Sequence, residues 1–250
     1  MKVFGGGCRV YDPEDGDVST HGTWAARSII SKSSGAKQIT QAVSHYAPGD
    51  APALVNPNSE EVLYVVSGEG TCYINGFSYA LRPGTGVFVP PAAVYQISAS
   101  TPMRVVSACC PEDPKREIVD KPLQSISGDA PPRTAHEDDR EQIRAGENRI
   151  FRYLVHTDLG CKQVTQFAGW IPPSKALFHL HNYEEGIFIL EGRGILHLHG
   201  QMSASGFGPG SSIYLPDGVL HCLENPGPEP IRLLGVFHPS GSPGAAYEDD

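Results

Sequence analysis

Two stretches of the chain carry the same alternation of apolar and polar positions: EEVLYVVSGEGTCYINGFSYAL at 60–81 and EEGIFILEGRGILHLHGQ at 184–201. β-branched and aromatic residues run for five to eight positions, then stop at Gly-containing turns. This is the texture of antiparallel hairpins. Few helices are expected, and short strands in such number predict a sandwich or barrel. The expected fold class is therefore all-β.

The pattern is also repeated as sequence. GAKQITQ at 35–41 returns as GCKQVTQ at 160–166, and Arg27 matches Arg152. Further along, Glu61 matches Glu185, Gly76 matches Gly200, and Pro83-Gly84 matches Pro209-Gly210. Two copies of one domain are expected, at 1–110 and 149–250. Between them, 111–148 is rich in proline and charge and has no apolar periodicity, which predicts an extended linker with one helical turn around Glu141 to Ala145.

Composition narrows the function. Of 250 residues, 40% are hydrophobic and 19% charged, so a packed core is expected and disorder is not. The 28 Gly and 22 Pro suit a turn-rich β protein. A net charge of -9 without Lys/Arg clusters argues against nucleic acids and anionic membranes as partners. No run approaches the roughly 18 apolar residues of a membrane span, so a cytoplasmic location is expected. The six scattered cysteines form no CxxC pair and read as reduced and structural.

The candidate chemistry lies in the second copy alone. In FHLHNYEEG, His179 and His181 are separated by one residue, so on a strand both project from one face. Glu185 follows, and His221 comes later behind the Pro216-x-Gly218 turn. Three imidazoles and a carboxylate suit Mn, Fe, Ni, Co, Cu or Zn and leave coordination positions open.

These residues resemble the two motifs of the cupin superfamily, G-x5-H-x-H-x3,4-E-x6-G and G-x5-P-x-G-x2-H-x3-N. His179, His181, Glu185 and Gly192 fit the first, with Pro173 in place of its opening Gly. Gly210, Pro216, Gly218, His221 and Asn225 fit the second. The resemblance implies two tandem jelly-roll (double-stranded β-helix) barrels, a bicupin, with one divalent transition metal in the C-terminal barrel held by His179, His181, Glu185 and His221. Mn or Fe is favoured for that position. The first copy keeps Gly49, Glu61 and Gly68 but has Val55 and Pro57 at the paired histidine positions and Tyr95 in place of the later His, so it is expected to be a metal-free scaffold.

Other polar residues compete for roles. His197 and His199 form a second HxH, but Leu196 and Leu198 would fill the barrel and turn both histidines outward. Tyr214, Arg232 and Gln166 are candidate substrate contacts, with Gln163 and Trp170 beside them. Gln38 and Gln41 repeat the glutamine pattern in the other half, which favours a structural role for Gln163 and Gln166. Cys222 is expected to be a packed thiol.

The resemblance implies a metal-dependent oxidoreductase, a dioxygenase of a small oxygenated or aromatic compound, with Glu185 able to act as a base. Oxalate decarboxylases resemble it less, because their metals occupy both barrels. A second reading is non-redox hydrolysis or isomerisation, as in ureidoglycine aminohydrolase-like bicupins. A third is a binding or structural cupin. A small-molecule substrate is the expected partner, and exposed sheet edges leave a homo-oligomer open.

Overall fold

A computed structural model describes residues 1–111, 116–119, 126–145, 148–200 and 204–242. The expected all-β architecture is present: the described residues contain strands and short 3-10 turns, and no α-helix. No helix among them is long and apolar enough to cross a membrane.

Each half builds two sheets. In the first half the larger sheet runs, in spatial order, Thr134–His136, Thr85–Val89, Glu60–Ser67, Met103–Cys110, Thr40–Tyr46, Trp24–Ile30 and Asp17–His21. The smaller sheet packs Phe77–Leu81, Gly70–Ile74, Val94–Ala99, Ala53–Val55 and Glu117–Val119 against it. In the second half the larger sheet is centred on Glu184–Glu191, Ile231–His238, Thr165–Ile171 and Arg149–Val155, and the smaller one on His221–Asn225 and Gly194–Leu198. Two hydrophobic cores result, one inside each barrel.

Local sequence accounts for the turns. Ile74 pairs with Phe77 across Asn75-Gly76, both with positive φ (48° and 89°). This is the two-residue turn that an Asn-Gly dipeptide encodes.

Two strands cross the division suggested by the repeat. Arg9–Tyr11 pairs with Ser212–Leu215 at the edge of the second barrel's large sheet. Thr134–His136 pairs with Thr85–Val89 at the corresponding edge of the first. Each barrel thus receives a strand from the sequence that precedes the other.

The linker differs from the expectation of an extended segment with a helical turn around Glu141 to Ala145. Ile143–Ala145 is a strand paired with Arg149–Phe151, and the helical turn lies earlier, as a 3-10 turn at Glu137–Asp139. The reason is burial: Ala145 is buried in the second barrel and Ile143 packs against its core, which rewards a ladder over a solvated turn.

The interface between the barrels explains the repeated heptamer. In each Glu-Glu pair the two side chains point to opposite faces of the strand. The second glutamate faces the barrel interior, and the first reaches across to the other barrel. Glu184 accepts hydrogen bonds from the backbone N–H of Lys37 and Gln38, both at 2.8 Å. Glu60 accepts from the backbone N–H of Lys162 at 3.1 Å and of Gln163 at 2.7 Å. Both loops present these N–H groups after a glycine at φ 89°, Gly35 or Gly160. GAKQITQ and GCKQVTQ are therefore two halves of a reciprocal clasp.

Glu184 is only 5% exposed, and its bonds are charge-assisted. Glu184→Gln is expected to cost about 1.5–3 kcal/mol in denaturant unfolding. A loss under about 0.5 kcal/mol, the scatter of a neutral surface change, would remove the clasp from the account of stability.

Candidate metal centre

His179 and His181 enter from an extended segment pinned to the small sheet. His179 and His221 exchange two backbone hydrogen bonds, at 3.0 and 2.9 Å, and the Gly218 N–H donates to the His181 carbonyl at 2.8 Å. Leu180, between the histidines, is 51% exposed, so the two imidazoles share the inward face as their spacing predicts. Glu185 faces inward from the start of the strand Glu184–Glu191.

These four side chains all line one cavity of about 80 Å3. The ring centroids of His179 and His221 are 4.6 Å apart, and those of His181 and His221 are 5.1 Å apart. His181 Nε2 stands 3.3 Å from Glu185 Oε2. Tyr183 stacks on His181 at 4.0 Å with the rings 3° from parallel, and rests in turn on Phe237.

The rings are oriented from behind. Each imidazole donates its Nδ1–H to a backbone carbonyl two residues away: His179 to Leu177 at 3.1 Å, His181 to Tyr183 at 2.7 Å and His221 to Val219 at 2.8 Å. A neutral ring that donates from Nδ1 carries its lone pair on Nε2, the tautomer a metal ligand needs. Burial, with the neighbouring imidazoles and Arg149, pushes the His221 pKa down to about 3. Burial also lowers that of His179. Both rings are neutral at neutral pH.

Among the described residues, no group of three or more His, Cys, Asp and Glu side chains is arranged so that it could hold a metal ion as it stands. The donor chemistry nevertheless fits one. His181 is 4% exposed, and its Nε2 has no hydrogen-bond partner although Glu185 lies 3.3 Å away. An imidazole nitrogen and a carboxylate oxygen that face each other in a buried site are a donor pair that one cation can bridge. Their separation is close to that of neighbouring ligands whose bonds to one ion are each about 2.0–2.2 Å.

The proposed substrate contacts lie elsewhere. Tyr214 is buried in the cluster between the barrels, and its hydroxyl donates to the Gly35 carbonyl. Gln166 is 0% exposed and also lies between the barrels; a Cβ on Gly86 would come within 3.0 Å of its Oε1. Arg232 is ion-paired with Glu137 and Glu191 and lies over Trp170, 5.6 Å from its centroid. None of the three lines the cavity. Each is one residue out of phase with the inward face, where Leu215, Phe167 and Leu233 point. His197 is paired outward with Glu224 at 2.6 Å, and Cys222 is a buried free thiol, as expected for both.

Arg149 was not among the sequence candidates and lines the cavity, donating from Nη2 to the Leu223 carbonyl at 2.9 Å. The signal was the alternation of Arg149-x-Phe151-x-Tyr153 in RIFRYLV, which puts the arginine on the inward face. The remaining wall is apolar and includes Phe151, Phe167, Ile187 and Leu233.

Fold and site together define a bicupin. The family described as "Cupin domain" matches residues 42–109 and again residues 170–237. The chain belongs to the cupin family. An uncharacterized protein of Methanocaldococcus jannaschii is 34% identical over 96 residues, covering 37% of this chain and 75% of that one. Among solved structures, a mutant of Bacillus subtilis oxalate decarboxylase superposes with a TM-score of 0.76 at 14% identity, over 93% of this chain and 78% of that one. The same enzyme at pH 4.6 gives a TM-score of 0.72 at 14% identity, over 92% and 76%. At that identity the likeness establishes the fold.

Proposed function

We propose that the C-terminal barrel is the centre of a metal-dependent oxidoreductase, a dioxygenase acting on a small oxygenated carboxylate or enediol. The observation that carries this reading is the set of three Nδ1-tethered imidazoles around Glu185. His179, His181, His221 and Glu185 would hold one divalent metal, with Mn or Fe favoured. When bound, it supplies a Lewis acid that stabilises negative charge on a chelating oxygen substrate.

The chain's own groups define what enters. Arg149 presents a guanidinium at the cavity wall, the geometry that recognises a carboxylate. At about 80 Å3 the cavity is smaller than the roughly 150 Å3 site that accepts benzene, which favours a small aliphatic substrate over an aromatic one. The apolar wall excludes water and strengthens electrostatic contacts inside. Glu185, 7% exposed and 3.3 Å from His181, would serve as a base on a bound substrate only where it leaves the metal.

The test is oxygen uptake by metal-loaded protein with a panel of two- to four-carbon hydroxy acids, keto acids and enediols. We expect O2 consumption with at least one of them. Arg149→Gln should raise KM at least about tenfold without changing metal content. Equal turnover under strict anaerobiosis would replace the dioxygenase reading with non-redox chemistry.

A further inference from the structure

The first barrel lacks the histidines, and its interior has been rebuilt in a way a scaffold does not require. The ladders align the two interiors residue by residue. Thr40, Cys109, Glu61 and Val89 form one cross-strand row, and Thr165, Phe237, Glu185 and Leu215 form its counterpart. By the same register Ala26 stands where the second barrel has Phe151, Ser28 where it has Tyr153, Ala42 where it has Phe167, and Cys109 where it has Phe237. Four aromatic rings are replaced by small side chains.

Protein interiors pack at the density of organic crystals, so a barrel kept only for support would be filled. Here a half-open groove of about 410 Å3 runs instead from the interior to the sheet edge at Asp17–His21, where Asp17, Ser19 and Ser28 are exposed, and its volume is within the usual range for small-molecule sites. Its polar lining is dense: the hydroxyls of Ser19, Ser28, Thr40 and Ser107 each offer a donor and an acceptor. Trp24 provides an aromatic wall, and Asp17 an exposed carboxylate.

Charge distinguishes among ligands. Among the described residues Arg116 is the one cation lining this cavity, and its Nη2 is hydrogen-bonded to the fully buried Glu61 carboxylate. That pairing neutralises it, while Asp17 would repel an anion. Arg116 is further engaged by Cys109 Sγ, 3.5 Å from its Nη2, so it offers this cavity no free charge.

We propose that the N-terminal barrel carries a second small-molecule site, separate from the metal centre, that takes a neutral polyhydroxylated compound of monosaccharide size. Isothermal titration of the whole chain with D-glucose, D-mannose and D-mannitol, alongside gluconate and succinate, tests it. At least one neutral polyol should bind saturably and at least about tenfold tighter than either carboxylate. The double variant Ala42→Phe/Ser107→Gly, which transplants the Phe167–Gly235 pair, should weaken that binding at least about tenfold and leave metal content intact. If that variant fails to fold, Ser28→Ala/Thr40→Val takes its place and should weaken binding several-fold. The proposal is overturned if none of the three polyols binds, if a carboxylate binds better, or if the folded variant binds as tightly as the parent.

Discussion

His221→Ala protein purified without chelator is expected to contain no stoichiometric transition metal and to lose essentially all turnover. Replacing groups that merely orient metal ligands costs roughly 10–100-fold in affinity or activity, and losing a ligand outright should exceed that. His221 is 2% exposed and pairs with both Leu198 and His179 in the small sheet, so its loss also removes packing. His221→Gln separates the two, because it keeps most of the volume and one donor but not the imidazole. Both variants should lose metal by elemental analysis while keeping a cooperative thermal transition. His197→Ala, at the outward histidine paired with Glu224, serves as the control and should keep its metal. A chelator should lower the Tm of the parent and leave that of His221→Gln unchanged, since a ligand that binds only the folded state stabilises it by mass action. Parent and His221→Gln proteins with equal metal content would remove these side chains from the metal site.

How far this arrangement is legible in the sequence depends on the range of each interaction. The hairpins, the duplication and the inward pair His179 and His181 follow from local alternation, and the structure places them accordingly. The exchanged strands Arg9–Tyr11 and Thr134–His136 are too short and too distant from their partners to carry a local signal. Tyr214, Gln166 and Arg232 were candidates by polarity, yet alternation from Ile213, Phe167 and Leu233 already points them away from the cavity. The same rule, applied to Phe151, would have found Arg149. Arg116 was invisible for another reason: it lies in a proline-rich, aperiodic stretch where no pattern says which side chain turns inward.

Arg116 nevertheless decides how the first barrel tolerates its buried Glu61, and its removal is the change expected to cost most in stability. Glu61 keeps the position of the second barrel's ligand Glu185 but is 0% exposed. Its carboxylate accepts from the Tyr95 hydroxyl at 3.1 Å and from Arg116, which enters from the stretch after Met103–Cys110 and lies 5.9 Å from the Trp24 centroid. Burial pulls the Arg116 pKa down, but Glu61 more than reverses this and holds it well above its usual value. A guanidinium thus supplies the positive charge in one barrel that a metal is proposed to supply in the other. Arg116→Met should cost about 3–5 kcal/mol, because it strands a buried carboxylate, whereas adding Glu61→Gln should recover much of that loss. Denaturant unfolding of the parent, both single variants and the double variant closes the cycle. If Arg116→Met costs less than about 1 kcal/mol, or the second change adds to the loss, the pair is ornamental and another cation must compensate Glu61. A recovered double variant would mean that the loss in Arg116→Met comes from the stranded Glu61 carboxylate, and that Arg116 is the cation which makes its burial tolerable.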